Sequence, residues 1–139
     1  MIVHHHVSLS VLDLDAQRAW YSRTLGFIDV VEEYAVPEPP VRTAVLSTES
    51  GLRLELIERA GAEPRAYPDP LAAAQHSGLA HWALQVDDLD ATYRRLTRDG
   101  AHEVWPPADA VRPGDRFAYI HDPEGNLLEL IEVNATRTN

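Results

Sequence analysis

The chain contains no cysteine. Disulfides and thiolate metal sites are therefore excluded, and no redox compartment can be inferred. Positive charge is scarce: 12 Lys and Arg stand against 22 Asp and Glu, a formal net charge of −10. A nucleic-acid or anionic-membrane surface needs a basic stripe, so the balance speaks against both partners. No apolar run reaches the length of a bilayer span, and no signal-peptide pattern precedes the first strand pattern. A cytoplasmic protein is the expectation. What is present is ordinary globular material: 139 residues, 45% hydrophobic. That suits one compact domain, or two half-sized modules sharing a core. His4, His5 and His6 fall inside the first strand pattern and are read as native sequence.

Self-similarity is the strongest signal in the chain. "HVSLSVLDLDA" starts at His6 and "HWALQVDDLDA" at His81, 75 residues later. His, Leu, Val, Asp, Leu, Asp and Ala recur at the same offsets. "LELIE" covers Leu54 to Glu58 and recurs at Leu128 to Glu132, 74 residues on. Each half thus opens on a His-led segment and closes on a Glu-centred one.

The first half reads as a strand over Val3 to Val11, with Val7, Leu9 and Val11 on one face. A helix follows, with Asp13 as N-cap, Ala16, Trp20 and Leu25 among its apolar positions, and Gly26 as its stop. Strands are expected over Phe27 to Tyr34, Val41 to Ser47 and Leu52 to Glu58, separated by Pro- and Gly-containing turns. The second half repeats the order: a strand over Leu79 to Val86 and a helix over Asp88 to Arg98, stopped at Gly100. Strands follow near His102 to Trp105, Arg116 to His121 and Asn126 to Val133, with a "DPEGN" turn at Asp122 to Asn126. Trp20, Tyr21 and Tyr93 fall in the helices and are expected in the core or an interface. Each half is βαβββ, which predicts an α+β fold. Two tandem modules, 1–58 and 79–139, are joined by a linker, 59–78, with a short helix at Leu71 to His76. Together they are expected to form a curved mixed sheet around a metal-binding cleft.

Side chains alternate across a strand. Leu54 and Leu56 must pack on a helix, which turns Arg53, Glu55 and Ile57 to the other face. Leu128 and Leu130 likewise turn Glu129 outward. His6 and His81 oppose the apolar faces of their own strands. Two imidazoles and two carboxylates thus share the non-helix faces, and a pseudo-twofold relation between the halves would let them converge. Such a mixed N/O set suits a divalent Ni, Co, Fe, Mn or Zn ion better than Ca. Four protein ligands leave up to two octahedral positions for water or substrate. Carboxylates on a solvent-facing sheet surface would share the same pattern.

These motifs, with "HHVSLSVLDLDAQRAWYSRTLGF", "LRLELIE", "GLAHWALQVDDLDA" and "AYIHDPEGNLLELIE", resemble those of the vicinal-oxygen-chelate superfamily. Its members include glyoxalase I, methylmalonyl-CoA epimerase, extradiol dioxygenases, and fosfomycin- and bleomycin-resistance proteins. The resemblance covers nearly the whole chain. It implies paired βαβββ modules with a metal at the base of a cleft. The His, Glu, His, Glu ligand order of glyoxalase I falls on His6, Glu55, His81 and Glu129. Glu55 departs from the epimerases, which typically carry Gln there. Tyr119, Asp122, Pro123, Gly125 and Glu129 fit the end of the dioxygenase signature, but no His occupies the segment before it. Bleomycin-binding relatives usually lack the ligand set. Ser10 stands where glyoxalase I commonly has an Arg that helps hold glutathione, so glutathione is not the expected substrate.

The resemblance therefore implies a metal-dependent lyase, isomerase or epimerase that binds neighbouring oxygens of a small oxygenated substrate and transfers a proton. Glu129 and Glu55 are the candidate bases. Arg53, Tyr119, Gln85, Ser8 and His4 are candidate cleft residues, with ordinary packing or solvation as the competing reading. A ring-opening or resistance enzyme, a dioxygenase-like enzyme and a non-catalytic drug- or metabolite-binding protein remain alternatives. A homodimer is expected from the exposed sheet edges.

Overall fold

The computed structural model describes residues 1–134. Residues 135–139, assigned above to the second module, lie outside the described residues. The chain divides into two compact units, the first spanning Met1–Pro64 and the second beginning at Arg65.

The first unit contains β1 (Val7–Val11), α1 (Leu14–Leu25), β2 (Asp29–Pro37), β3 (Pro40–Ser47) and β4 (Arg53–Arg59). The second contains α2 (Pro70–Ala73), β5 (Trp82–Gln85), α3 (Leu89–Arg98), β6 (His102–Asp109), β7 (Arg116–His121) and β8 (Leu127–Glu132). Both are βαβββ modules, so the fold is α+β as expected. Each carries its own four-stranded sheet, ordered β1-β4-β3-β2 and β5-β8-β7-β6. The opening strand pairs parallel with the closing strand, and the other pairings are antiparallel.

The opening strands of both units start three or four residues later than the sequence pattern predicts, and β2 shifts from the predicted Phe27–Tyr34 to Asp29–Pro37. Residues 3–6 alternate like a strand, but β1 pairs only with β4, whose register begins with Val7 opposite Leu54. β5 likewise begins at Trp82, opposite Leu128. Without a ladder partner the alternating residues ahead of these points stay outside the sheet. β6 runs further than predicted, through Pro106 and Pro107. It is an edge strand with register shifts between Glu103 and Ala108, which is where a sheet tolerates proline.

The helices begin and end for local reasons. Asp13 accepts from Ala16 N at 2.9 Å and Asp88 from Ala91 N at 2.8 Å. Gly26 ends α1 in the left-handed region at φ 75°. Ala16 is exposed rather than apolar-facing, and Gln17, Trp20, Tyr21 and Thr24 are the buried side of α1. Leu54, Leu56, Leu128 and Leu130 are fully buried, as the alternation of β4 and β8 requires.

Residues 65–78, read from the sequence as linker, belong to the second unit. His121 Nε2 lies 2.7 Å from the Tyr67 carbonyl oxygen, and Ala73 packs with Tyr119 and Leu127. The "DPEGN" turn forms as predicted: Asp122 accepts from Glu124 N and Asn126 N, both at 2.9 Å. Gly125 sits at φ 91°, and a Cβ there would meet Ala66 Cβ at 2.8 Å. Glycine is needed for the backbone angle and for this close approach.

Candidate functional site

In the first unit, register brings Ser8 on β1 directly across from Glu55 on β4. The Ser8 hydroxyl donates to Glu55 Oε2. His6, one residue ahead of β1, places Nε2 3.3 Å from the same oxygen. Tyr34 on β2 directs its hydroxyl to Glu55 Oε1 at 3.4 Å. A second set of contacts runs beside this one. Arg53 Nη1 is 3.1 Å from His5 Nε2, and His5 Nδ1 is 2.7 Å from His6 Nδ1.

In the second unit, His81 Nε2 lies 3.0 Å from Glu129 Oε2. Ala83 occupies the place across from Glu129 that Ser8 occupies across from Glu55. The donor comes from the other neighbouring strand instead: Tyr119 on β7 pairs in register with Glu129 and hydrogen-bonds its carboxylate. Burial first, then the Glu129 charge and that hydrogen bond, hold the Tyr119 hydroxyl well above the usual tyrosine value. Its ring meets those of His81 at 5.2 Å, Trp105 at 5.3 Å and Phe117 at 5.9 Å, all edge-to-face.

The last Glu of each pentapeptide has a separate structural role, which the sequence reading missed. Glu58 Oε2 accepts from Leu14 N at 2.8 Å, and Glu132 Oε2 from Leu89 N at 2.7 Å. Each is the closing strand's latch on the first turn of its helix, where a carboxylate meets free N–H groups and the positive helix end. An Arg–Asp pair accompanies each latch: Arg42 with Asp15 at 3.0 Å, and Arg116 with Asp90 at 2.6 Å. The hydrogen bond from Arg116 holds Asp90 below the usual carboxylate range.

A family model described as the Glyoxalase/Bleomycin resistance protein/Dioxygenase superfamily matches residues 4–130. The chain belongs to this superfamily. Within it, the chain is 31% identical over 132 residues to the uncharacterized protein YaeR of Escherichia coli, covering 92% of this chain and 94% of the relative. It is 29% identical over 135 residues to a lactoylglutathione lyase of Haemophilus influenzae, covering 96% and 94%. A crystal structure of a glyoxalase family protein from Enterococcus faecalis aligns with a TM-score of 0.76 at 26% identity, covering 94% of this chain and 97% of that one.

Superfamily members typically use divalent metals. Two ligand atoms about 2.0–2.2 Å from one ion, at tetrahedral or octahedral angles, lie roughly 3.0–3.5 Å apart. The His–Glu spacings of 3.3 and 3.0 Å fall in this range, and they equally suit a His–carboxylate hydrogen bond or ion pair. The imidazoles are 33% and 27% exposed and the carboxylates 13% and 18%, so both pairs are reachable from solvent. The donor chemistry fits a borderline divalent ion. Within either unit the pair stands alone: among the described residues, no three His, Asp or Glu side chains are grouped to hold an ion.

The sequence-predicted residues therefore fall into two groups. Ser8 joins the His6–Glu55 pair directly, Arg53 joins it through His5, and Tyr119 joins the His81–Glu129 pair. Gln85 is exposed two residues beyond Ala83 and takes no part in the second pair's hydrogen bonds, and His4 is exposed ahead of β1. His5 and Tyr34 were not anticipated. By strand alternation His5 falls on the face of Val7, Leu9 and Val11, opposite His6. Tyr34 reaches Glu55 from two strands away, past a register shift between Val30 and Glu32.

Proposed function

We propose that the chain is a divalent-metal-dependent lyase or isomerase of the glyoxalase-like type. His6, Glu55, His81 and Glu129 supply the four ligands of one Ni, Co, Fe, Mn or Zn ion, from one chain or from two copies of it. The observation that carries this reading is the duplicated His–Glu pair, at equivalent repeat positions and at ligand-like spacing. Such an ion supplies Lewis-acid polarisation of two neighbouring oxygens on a small substrate. The remaining chemistry belongs to the chain. The Glu129 carboxylate removes a proton alpha to a substrate carbonyl and returns it to the adjacent carbon. The Tyr119 hydroxyl orients that carboxylate. Glu55 holds the same place in the first repeat and is the second candidate base, oriented by Ser8. The protein functions in the cytoplasm as a homodimer.

Protein purified without chelator is expected to carry a stoichiometric divalent ion, and added Ni, Co, Mn or Zn to raise the melting temperature of stripped protein. In D2O it should exchange the alpha protons of hydroxyketone substrates, and Glu129→Gln should abolish the exchange with the fold intact. Absence of both bound metal and metal-dependent stabilisation would overturn the reading. Undiminished exchange in Glu129→Gln would remove Glu129 as the base.

A further inference from the structure

We infer that Arg53 is the recognition residue for an anionic group, a carboxylate or phosphate, carried by the substrate at a position away from its metal-binding oxygens. The inference rests on the proposed function for the identity of the site, but its evidence is separate.

Arg53 lies two residues ahead of Glu55 on β4, so the two side chains leave the same face of the sheet. Its hydrogen-bonding partner is an imidazole, His5 Nε2, at 3.1 Å. Two other arginines of this unit behave differently: Arg18 pairs with Glu33, and Arg42 with Asp15 and Glu58. Glu55 is within the same short stretch of strand, yet its contacts are Ser8, His6 and Tyr34 rather than Arg53. In a chain with 22 acidic residues, no carboxylate among the described residues pairs with this guanidinium.

The repeat provides an internal control. Leu127 holds the position equivalent to Arg53, one residue before the "LELIE" segment, and is 6% exposed against Ala73 and Tyr119. The strand architecture therefore does not require an arginine there; an apolar residue fills the place in the second unit. The first half-site is polar and cationic, with Arg53, His5 and Ser8, where the second is lined by aromatic rings.

A guanidinium presents a planar fork matching two oxygens of a carboxylate or phosphate. A substrate oxyanion would replace the contact to the His5 imidazole with a charge-assisted pair. The two oxyanion sources differ in a way that binding can resolve.

The test compares matched ligands on nickel-loaded full-length protein by calorimetry. 2-Oxoglutarate and 2-oxovalerate differ in the distal carboxylate, and dihydroxyacetone phosphate and dihydroxyacetone in the phosphate. In at least one pair the member with the additional oxyanion should bind about tenfold tighter or more, and that pair identifies the oxyanion. Arg53→Met should remove the preference and Arg53→Lys should keep part of it, with melting temperatures like wild type. No preference in either pair, or a preference that survives Arg53→Met, overturns the inference. The same titrations in chelator separate the two readings. 2-Oxovalerate and dihydroxyacetone binding equally with and without metal counts against the proposed function. An Arg53-dependent preference in either condition supports this inference.

Discussion

Tyr93 on α3 is 6% exposed, and its hydroxyl meets no partner among the described residues. Burial, with the nearby Glu103 charge second, raises its pKa above the usual value. A raised folded-state value gives a stability contribution that is complete below the unfolded pKa of about 10 and is lost as pH rises through the folded value. Tyr93→Phe removes an unsatisfied buried oxygen, so urea unfolding at pH 7 should show equal stability or a gain of about 1 kcal/mol. That gain should widen above pH 10, and a variant that weakens further with alkali would contradict this account. Tyr93 was legible as a core residue from its place in the helix, but its missing partner was not, because hydrogen bonding depends on what faces it. The His–Glu pairs show the same divide. Repetition located His6, Glu55, His81 and Glu129, whereas the carboxylates' other partners, Ser8 with Tyr34 and Tyr119, depend on unlike strand neighbours.

At the scale of elements, order and type were readable throughout, because apolar periodicity, Asp N-caps and glycine stops all agreed. Boundaries moved where a strand's partner was shorter or longer than its own pattern, as at β1, β5 and β6. The Glu58 and Glu132 latches were hidden because the same two residues read equally well as exposed strand-end charges. Glu58→Gln and Glu132→Gln should each cost about 1 kcal/mol through loss of a charged contact at a helix N-terminus. The two pairs share no partner, so the double variant should cost about the sum in chemical denaturation. A double variant as stable as wild type would show that the Asp13 and Asp88 caps suffice alone.

For the whole molecule, the repeat predicted two modules, and the structure contains two compact units, each built on βαβββ, with α2 added ahead of the second. The 65–78 segment joins the second unit because Tyr67 and Ala73 find partners there, which composition alone does not reveal. β2 is an edge strand with all nine residues exposed, including Val30, Val31, Tyr34 and Val36. Such an edge invites pairing or cover. Sedimentation equilibrium should therefore give twice the 15.5 kDa chain mass, and Val30→Arg with Val36→Arg should shift the protein to the monomer. A monomeric wild type would refute the dimer. Glu55 and Glu58 leave opposite faces of one strand, and Glu129 and Glu132 do the same. Slippage of either strand by one residue would turn the first Glu into the leucine layer and swing the second away from its helix. Each module thus proofreads its own alignment: a misthreaded sheet fails on both sides at once, before any ligand is bound.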